Sequence, residues 1–264
     1  MGTVLRKLKT VQKVLQSEGV PGLWREISPR LDPLRSAHSL WNRGIDGETA
    51  FWDHYFETKG GAWAENFADR LNPGLPLQRR PAALLPDGAE AAILDVGAGP
   101  LTYLGKVVPG KRLHITAIDP LAGKYDAILA KHGITPLVRT EALAGEELPR
   151  RFPPDSFDLV FARNCLDHAY DPVLAIDQMV RVAKPGGHVL LEHHPNEAEE
   201  RGYSDLHQWN FSTDEGGNFA ITFRGRRTVN VTARLSAIAD TRCDYVDNGE
   251  RWLIVTIRKR PAAA

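Results

Sequence analysis

Residues 91–105 read AAILDVGAGPLTYLG. An apolar run from Ala91 to Val96 leads into a glycine turn, Gly97-Ala98-Gly99, and then into residues that suit the start of a helix. This is the pattern of a buried parallel strand ending in a ligand-holding turn. The third glycine of the G-x-G-x-x-G and G-x-G-x-G patterns is absent, with Thr102 and Leu101 in its place. That glycine allows close helix packing at a pyrophosphate site. Asp95 stands two residues ahead of the first glycine. A carboxylate there would repel a pyrophosphate but suits a ligand bearing a cation, such as a sulfonium or an ammonium.

Outward from this stretch the chain alternates. Further strands are expected at 114–119 (HITAID), 135–140 (TPLVRT), 157–164 (FDLVFARN) and 188–193 (HVLLEH). Helices are expected at 101–108 (LTYLGKVV), at 121–133 up to Gly133, and at 171–183, where Asp171 is the N-cap and Pro172 the first helical residue. Strands alternating with helices imply a doubly wound α/β sheet, mostly parallel. The tail differs. Two alternating strands flank Arg224-Gly225-Arg226, a short helix is expected at 231–239, and two more strands flank Asn248-Gly249, a strong turn signal.

Ahead of the sheet, residues 3–17 (TVLRKLKTVQKVLQS) repeat apolar residues at helical spacing with cations on the other face. Such a helix docks on the main domain or a partner, or lies on an anionic membrane surface. A helix is expected from about Gly47 to Thr58, broken by Gly60-Gly61, and a second from about Ala62 to Leu71. Phe51, Trp52, Tyr55, Phe56, Trp63 and Phe67 crowd these helices, as a packed cap or a lid over a ligand. The expected division is a helical extension or lid over residues 1–75 and a sheet domain over 76–264, with an inserted hairpin at about 211–232.

The totals exclude several classes. Lys plus Arg and Asp plus Glu both number 33, so the net charge is zero and no nucleic-acid partner is implied. Only two cysteines, Cys165 and Cys243, argue against a disulfide framework or a Cys-rich zinc site and for a reducing, cytoplasmic setting. No window suits a membrane span, and Arg6, Lys7, Lys9 and Lys13 interrupt any signal-peptide core.

Parallel sheets bind ligands at the carboxyl ends of their strands. Collected there are Asp95, Gly97, Gly99 and Pro100, then Asp119-Pro120, Glu141-Ala142, Asn164 with Asp167 and His168, and finally Glu192, His193 and His194. Asp119 suits a ribose, whose two hydroxyls can donate to one carboxylate; that alone fits NAD equally. Together, ILDVGAGPLT, ITAIDPL, TEA and SFDLVFARNCLDHAYDP…VAKPGGHVLLEH resemble, in order and spacing, the motifs of class I S-adenosylmethionine-dependent methyltransferases, over residues 91–194. The resemblance implies a Rossmann-like, mostly parallel seven-stranded sheet closed by an antiparallel C-terminal hairpin. It implies S-adenosylmethionine as cofactor. Asp95, Gly97, Gly99 and Pro100 would surround its amino-acid part, Asp119 and Pro120 its ribose, Glu141 and Ala142 its adenine, and Asn164 the region near the methyl group. Leu101 stands where many members have a third glycine, and Glu141 where Asp is commoner. FWDHYFETKG and LHQWNF further resemble bacterial methyltransferases encoded with cell-surface polysaccharide enzymes.

A hydroxyl acceptor needs a base, and histidine suits that near neutral pH. His168, His194 and His207, with His193, are the candidates, oriented by Glu192 or Asp167. Glu192, His193, His194 and His207 also invite a metal reading, but their spacing matches no ligand motif, so no metal is expected. Residues 195–211, with Trp209 and several carboxylates, suit a loop facing a sugar. The expected reaction is O-methylation of a sugar, glycan or other hydroxylated metabolite. N-methylation of an amine and a non-catalytic cofactor-binding scaffold are the alternatives, and the oligomeric state is left open.

Overall fold

Seven strands follow from the apolar runs, in the order β3-β2-β1-β4-β5-β10-β9. The computed structural model describes residues 37–247 and 249–261, so the basic segment 3–17 lies outside the described residues. In chain order the elements are α1 (Ala37–Glu57), α2 (Ala64–Arg70), α3 (Arg79–Ala82), β1 (Glu90–Val96), β2 (Arg112–Asp119), α4 (Ala122–Lys131), β3 (Thr140–Ala142), β4 (Phe157–Arg163), α5 (Pro172–Val182) and β5 (Ala183–His193). They continue as α6 (Glu197–Glu200), β6 (Trp209–Thr213), β7 (Phe219–Phe223), β8 (Arg227–Asn230), α7 (Val231–Leu235), β9 (Ala239–Asp247) and β10 (Arg251–Lys259). Contacts divide the chain between Ser39 and Leu40.

β1 is an interior strand, with Ile93 and Leu94 fully buried, as a strand covered on both faces requires. It pairs in parallel with β2 on one side and β4 on the other. The chain therefore reverses its winding between β1 and β4, which opens a crevice at their carboxyl ends. Asp95 lies opposite Ala117 on β2 and Phe161 on β4, so the end of β1 opens into that crevice. β10 inserts antiparallel between β5 and β9, as the turn at 248–249 predicts. Asp171 caps α5 by accepting from Leu174 N at 3.0 Å. Among the described residues no helix is long and apolar enough to cross a membrane.

Four local expectations are corrected. The helix expected at 101–108 does not form. The amides there bond sideways to the segment at 75–78 instead: Lys106 N and Val107 N donate to Leu75 O, and Gly105 N donates to the Gln78 side chain. A Cβ on Gly105 would stand 2.0 Å from Pro76 O, so the close approach needs glycine. Tertiary bonds thus outcompete the helical pattern of Leu101 and Leu104, which are buried in a loop. Second, α1 spans Ala37–Glu57, so it starts ten residues before the expected Gly47 and holds Gly44 in its interior. Third, β3 is only Thr140–Ala142, shifted beyond TPLVRT, where Pro136 supplies no ladder donor. Fourth, the sequence around Arg224 forms a three-stranded sheet, β6-β7-β8, because Trp209–Thr213 adds a strand to the hairpin.

Candidate active site

The carboxyl ends of β1, β2 and β4 open into a cavity of about 630 Å³. Its floor is the glycine turn. Gly97 N and Ala98 N donate to Ile118 O, and Thr140 Oγ1 donates to Gly99 O at 2.8 Å, so β2 and β3 hold the turn in place. Gly97 and Gly99 both have positive φ, at 68° and 63°. A Cβ on Gly97 would strike Cys165 Sγ at 2.5 Å, and one on Gly99 would strike the Trp52 ring at 2.8 Å. Glycine is required at both, for conformation and for room.

Two carboxylates end the strands beside this turn. Asp95 accepts from Thr102 Oγ1 at 2.5 Å, so the residue in the missing glycine's position orients the acid. Asp119 accepts from Leu121 N at 2.8 Å and from Gly99 N at 3.2 Å. Burial pushes Asp95 up to about 6 and Asp119 up to about 7. Glu146, in the 3₁₀ turn Gly145–Arg150, also lines the cavity; it accepts from Asp171 N at 2.9 Å, and burial pushes it up to about 7. Arg70 at the end of α2 faces them, donating to Leu101 O and lying over the Trp52 and Tyr103 rings.

These shifts set a pH dependence. Unfolded, the three carboxyls titrate at 3.8, 3.8 and 4.5; folded, they keep their protons to about 6 or 7. The native state then binds more protons, and its stability falls as pH rises through that window. His168, raised in the folded state, extends the fall upward. His193, pushed down to about 3 by burial, and His188, also lowered by burial, oppose the fall below about 6.5, as two groups against three. The melting temperature of the ligand-free protein is therefore expected to fall from pH 5 to pH 8. A flat or rising profile in a scan across that range contradicts it.

The cavity also holds two paired histidines. Asp167 and His168 lie in a 3₁₀ turn after β4, and His207 comes from the loop before β6. His207 Nδ1 is 2.7 Å from Asp167 Oδ2, and His168 Nε2 is 3.2 Å from His207 Nδ1 and 3.4 Å from Asp167 Oδ2. On its other side, His168 Nδ1 is 3.6 Å from Glu48 Oε2 of α1, and Glu48 Oε1 accepts from Trp52 Nε1 at 2.8 Å. Burial alone would raise Asp167 and lower His168. Their proximity reverses both: His168 and His207 hold Asp167 below the usual carboxylate range, and Asp167 and Glu48 raise His168.

The predicted residues are thus sorted. Asp95, Gly97, Gly99, Asp119, Pro120, Asn164, His168, His194 and His207 all line the cavity. Glu141 and Ala142 do not; Glu141 pairs with Arg151, and Ala144, Gly145 and Glu146 occupy the wall in their place. Pro100 shapes the turn without lining the cavity. His194 lies apart from the other two, its ring 3.9 Å from that of Trp252 and its Nδ1 3.3 Å from Arg251 O. His193 is buried against Phe211 with both ring nitrogens unpartnered. Glu192 bonds Arg80 and Arg163 and orients no histidine. Trp209 is structural: its Nε1 donates to Ala169 O at 2.8 Å and it does not line the cavity. Sequence reasoning missed Glu48, Arg70 and Glu146, which reach the cavity from the helices and from a turn after β3.

Residues 94–191 match the family described as a methyltransferase domain. The chain is 26% identical over 180 residues to a probable tocopherol O-methyltransferase, chloroplastic, of Oryza sativa, covering 66% of this chain and 46% of that protein. It is 31% identical over 107 residues to a tRNA U34 carboxymethyltransferase of Shewanella pealeana, covering 39% of this chain and 32% of that protein. The matched stretch spans less than half the length of these curated relatives. A phosphoethanolamine N-methyltransferase 2 of Haemonchus contortus, solved with phosphomonomethylethanolamine and S-adenosylhomocysteine, shares the fold at 15% identity and a TM-score of 0.52, over 86% of this chain and 61% of that one.

Proposed function

We propose that this chain, whose residues 94–191 match a methyltransferase domain, is a class I S-adenosylmethionine-dependent methyltransferase that methylates a hydroxyl of a sugar, glycan or related metabolite, with His207 as general base. The observation that carries this reading is the pairing of His207, which lines the cavity, with the buried Asp167. Asp167 Oδ2 accepts from Nδ1–H of His207, which leaves the Nε2 lone pair of the neutral ring without a partner among the described residues. A carboxylate that fixes a histidine's tautomer and supports its charge is the recurring orienter of a general base. His207 takes the acceptor's proton at Nε2, and Asp167 and Glu48 compensate the positive charge that the His168–His207 pair then carries.

The cavity's residues suit the cofactor. Asp95 and Arg70 offer opposite charges for its ammonium and carboxylate, Asp119 offers acceptors for the ribose hydroxyls, and Gly97 and Gly99 leave room for its chain. Glu146, beside Ala144 and Gly145, replaces Glu141 and Ala142 as the adenine-side acid. When bound, S-adenosylmethionine supplies a methyl group on a sulfonium. The chain's own work is orientation, worth up to roughly 7–11 kcal/mol in ideal cases, and proton removal, worth about 10²–10⁴-fold. Within the predicted 1–75 extension, α1 and α2 act as the lid, with Phe51, Trp52 and Trp63 on the cavity side. Free Cys165 and Cys243 support a cytoplasmic location, and the zero net charge supports a small-molecule or glycan acceptor over a nucleic acid.

The test is a panel of sugars, glycans and amines assayed with S-adenosylmethionine, with S-adenosylhomocysteine as the measured product. Turnover is expected with hydroxyl acceptors. N-methylation is the second reading, because Glu48, Glu197 and Asp205 on the same wall would also favour an ammonium. Turnover confined to amines would replace the first reading by the second.

A further inference from the structure

We infer that Asp167, His168 and His207 form a binding site for a divalent transition-metal ion, and that filling it switches off the base. The geometry begins with three donor atoms. Asp167 Oδ2, His168 Nε2 and His207 Nδ1 form a triangle with sides of 2.7, 3.2 and 3.4 Å. A tetrahedral ion with bonds of about 2.0–2.1 Å holds its ligands about 3.4 Å apart. The two longer sides already match that spacing. The shortest is the hydrogen bond whose proton the ion would replace.

Two further observations point to a cation. Asp167 Oδ1 is buried and has no hydrogen-bond partner among the described residues, so the carboxylate has an unused acceptor at this cluster. Glu48 Oε2 lies 3.6 Å from His168 Nδ1, the ring nitrogen that faces away from the triangle. A carboxylate behind a ligating imidazole is the usual outer-shell partner of a metal histidine. Three protein ligands beside a cavity leave a coordination position open to solvent or to an acceptor. Two imidazoles and one carboxylate select zinc, iron or a similar ion over magnesium, which prefers oxygen ligands alone.

The consequence for catalysis rests on the reading of His207 given above; the binding itself does not. An ion bound at His207 Nδ1 forces the neutral ring to carry its proton on Nε2. No lone pair then faces the acceptor, and the ring cannot take its proton. The site is inhibitory.

Calorimetry of the metal-free full chain with zinc chloride is expected to show one site, with affinity at least tenfold weaker in both Asp167→Asn and His168→Gln and no heat from magnesium chloride. Two variants are used, each checked by circular dichroism, so that one misfolded protein does not decide the result. Methyl transfer by the wild type is expected to fall as zinc rises, with half-inhibition near the calorimetric Kd and recovery on adding EDTA. Absence of zinc binding, equal affinity in wild type and variants, or full turnover at saturating zinc would each overturn the proposal. Calorimetry needs no acceptor, so failure of the methyl-transfer reading and failure of the metal site give different results.

Discussion

His207→Ala is expected to lower kcat by about 10²–10⁴-fold, the range for loss of a general base, while affinity for S-adenosylhomocysteine stays within about twofold. The asymmetry follows from placement. His207 is bonded to Asp167, whereas Asp95 is bonded to Thr102 and Asp119 to Leu121 N and Gly99 N. Asp167→Asn tests the orientation separately. An asparagine amide can donate to Nδ1, which would force the ring proton onto Nε2 and give the wrong tautomer, so kcat should fall without loss of the fold. His194→Ala is expected to change kcat by less than about threefold, because that ring is stacked on Trp252 and its Nδ1 faces Arg251 O. Assays in EDTA keep zinc from mimicking the loss. A His207→Ala enzyme within threefold of wild type would remove the base from the mechanism, and a large His194 effect would move it.

The side of the cavity proposed to hold the cofactor is legible in the sequence as a cluster, because its residues sit at fixed offsets from strand ends. Asp95, Gly97, Gly99 and Asp119 follow from an apolar run and a turn, and parallel register brings them together without any long-range choice. Glu141 failed for a local reason. β3 spans three residues, and the chain beyond it turns so that Glu146 reaches the cavity while Glu141 pairs with Arg151. The catalytic wall was only half legible. His168 and His207 were named, but their partnership is 39 residues apart in sequence, and no periodicity encodes it. Glu48 is harder still: it lies inside the expected helix, but nothing in a helical pattern places its carboxylate beside His168. The loop at 101–108 fails in the opposite way. Its pattern is helical, but Gln78 and the backbone at 75–77 take the amides that a helix would have used.

The glycines within α1 carry the second large prediction. Gly44→Val is expected to lower kcat by about 10²-fold, the scale of a 1 Å misplacement at a reacting group, with affinity for S-adenosylhomocysteine nearly unchanged. A Cβ at Gly44 would stand 2.6 Å from Leu206 Cδ2 and 2.8 Å from the Asp205 carbonyl carbon. The side chain could swing away, but the backbone could not. The loop is tied to itself: His207 N donates to Ser204 O, and the Gln208 amide donates to both Tyr203 O and Asp205 O. Tyr203 and Asp205 already hold positive φ, which leaves little freedom to absorb the shift. The loop must therefore move as a piece, and His207 moves with it, away from Asp167. Gly47 provides the contrast. A Cβ there meets the Asp205 side chain at 3.4 Å, an ordinary contact. Gly47→Ala should then show the helix-propensity gain of about 0.8–1.0 kcal/mol as a higher melting temperature. Gly44→Ala should lose that gain to the backbone contact. If both alanine variants stabilise equally, α1 does not press on the histidine loop, and the glycine at 44 has no role in placing the base.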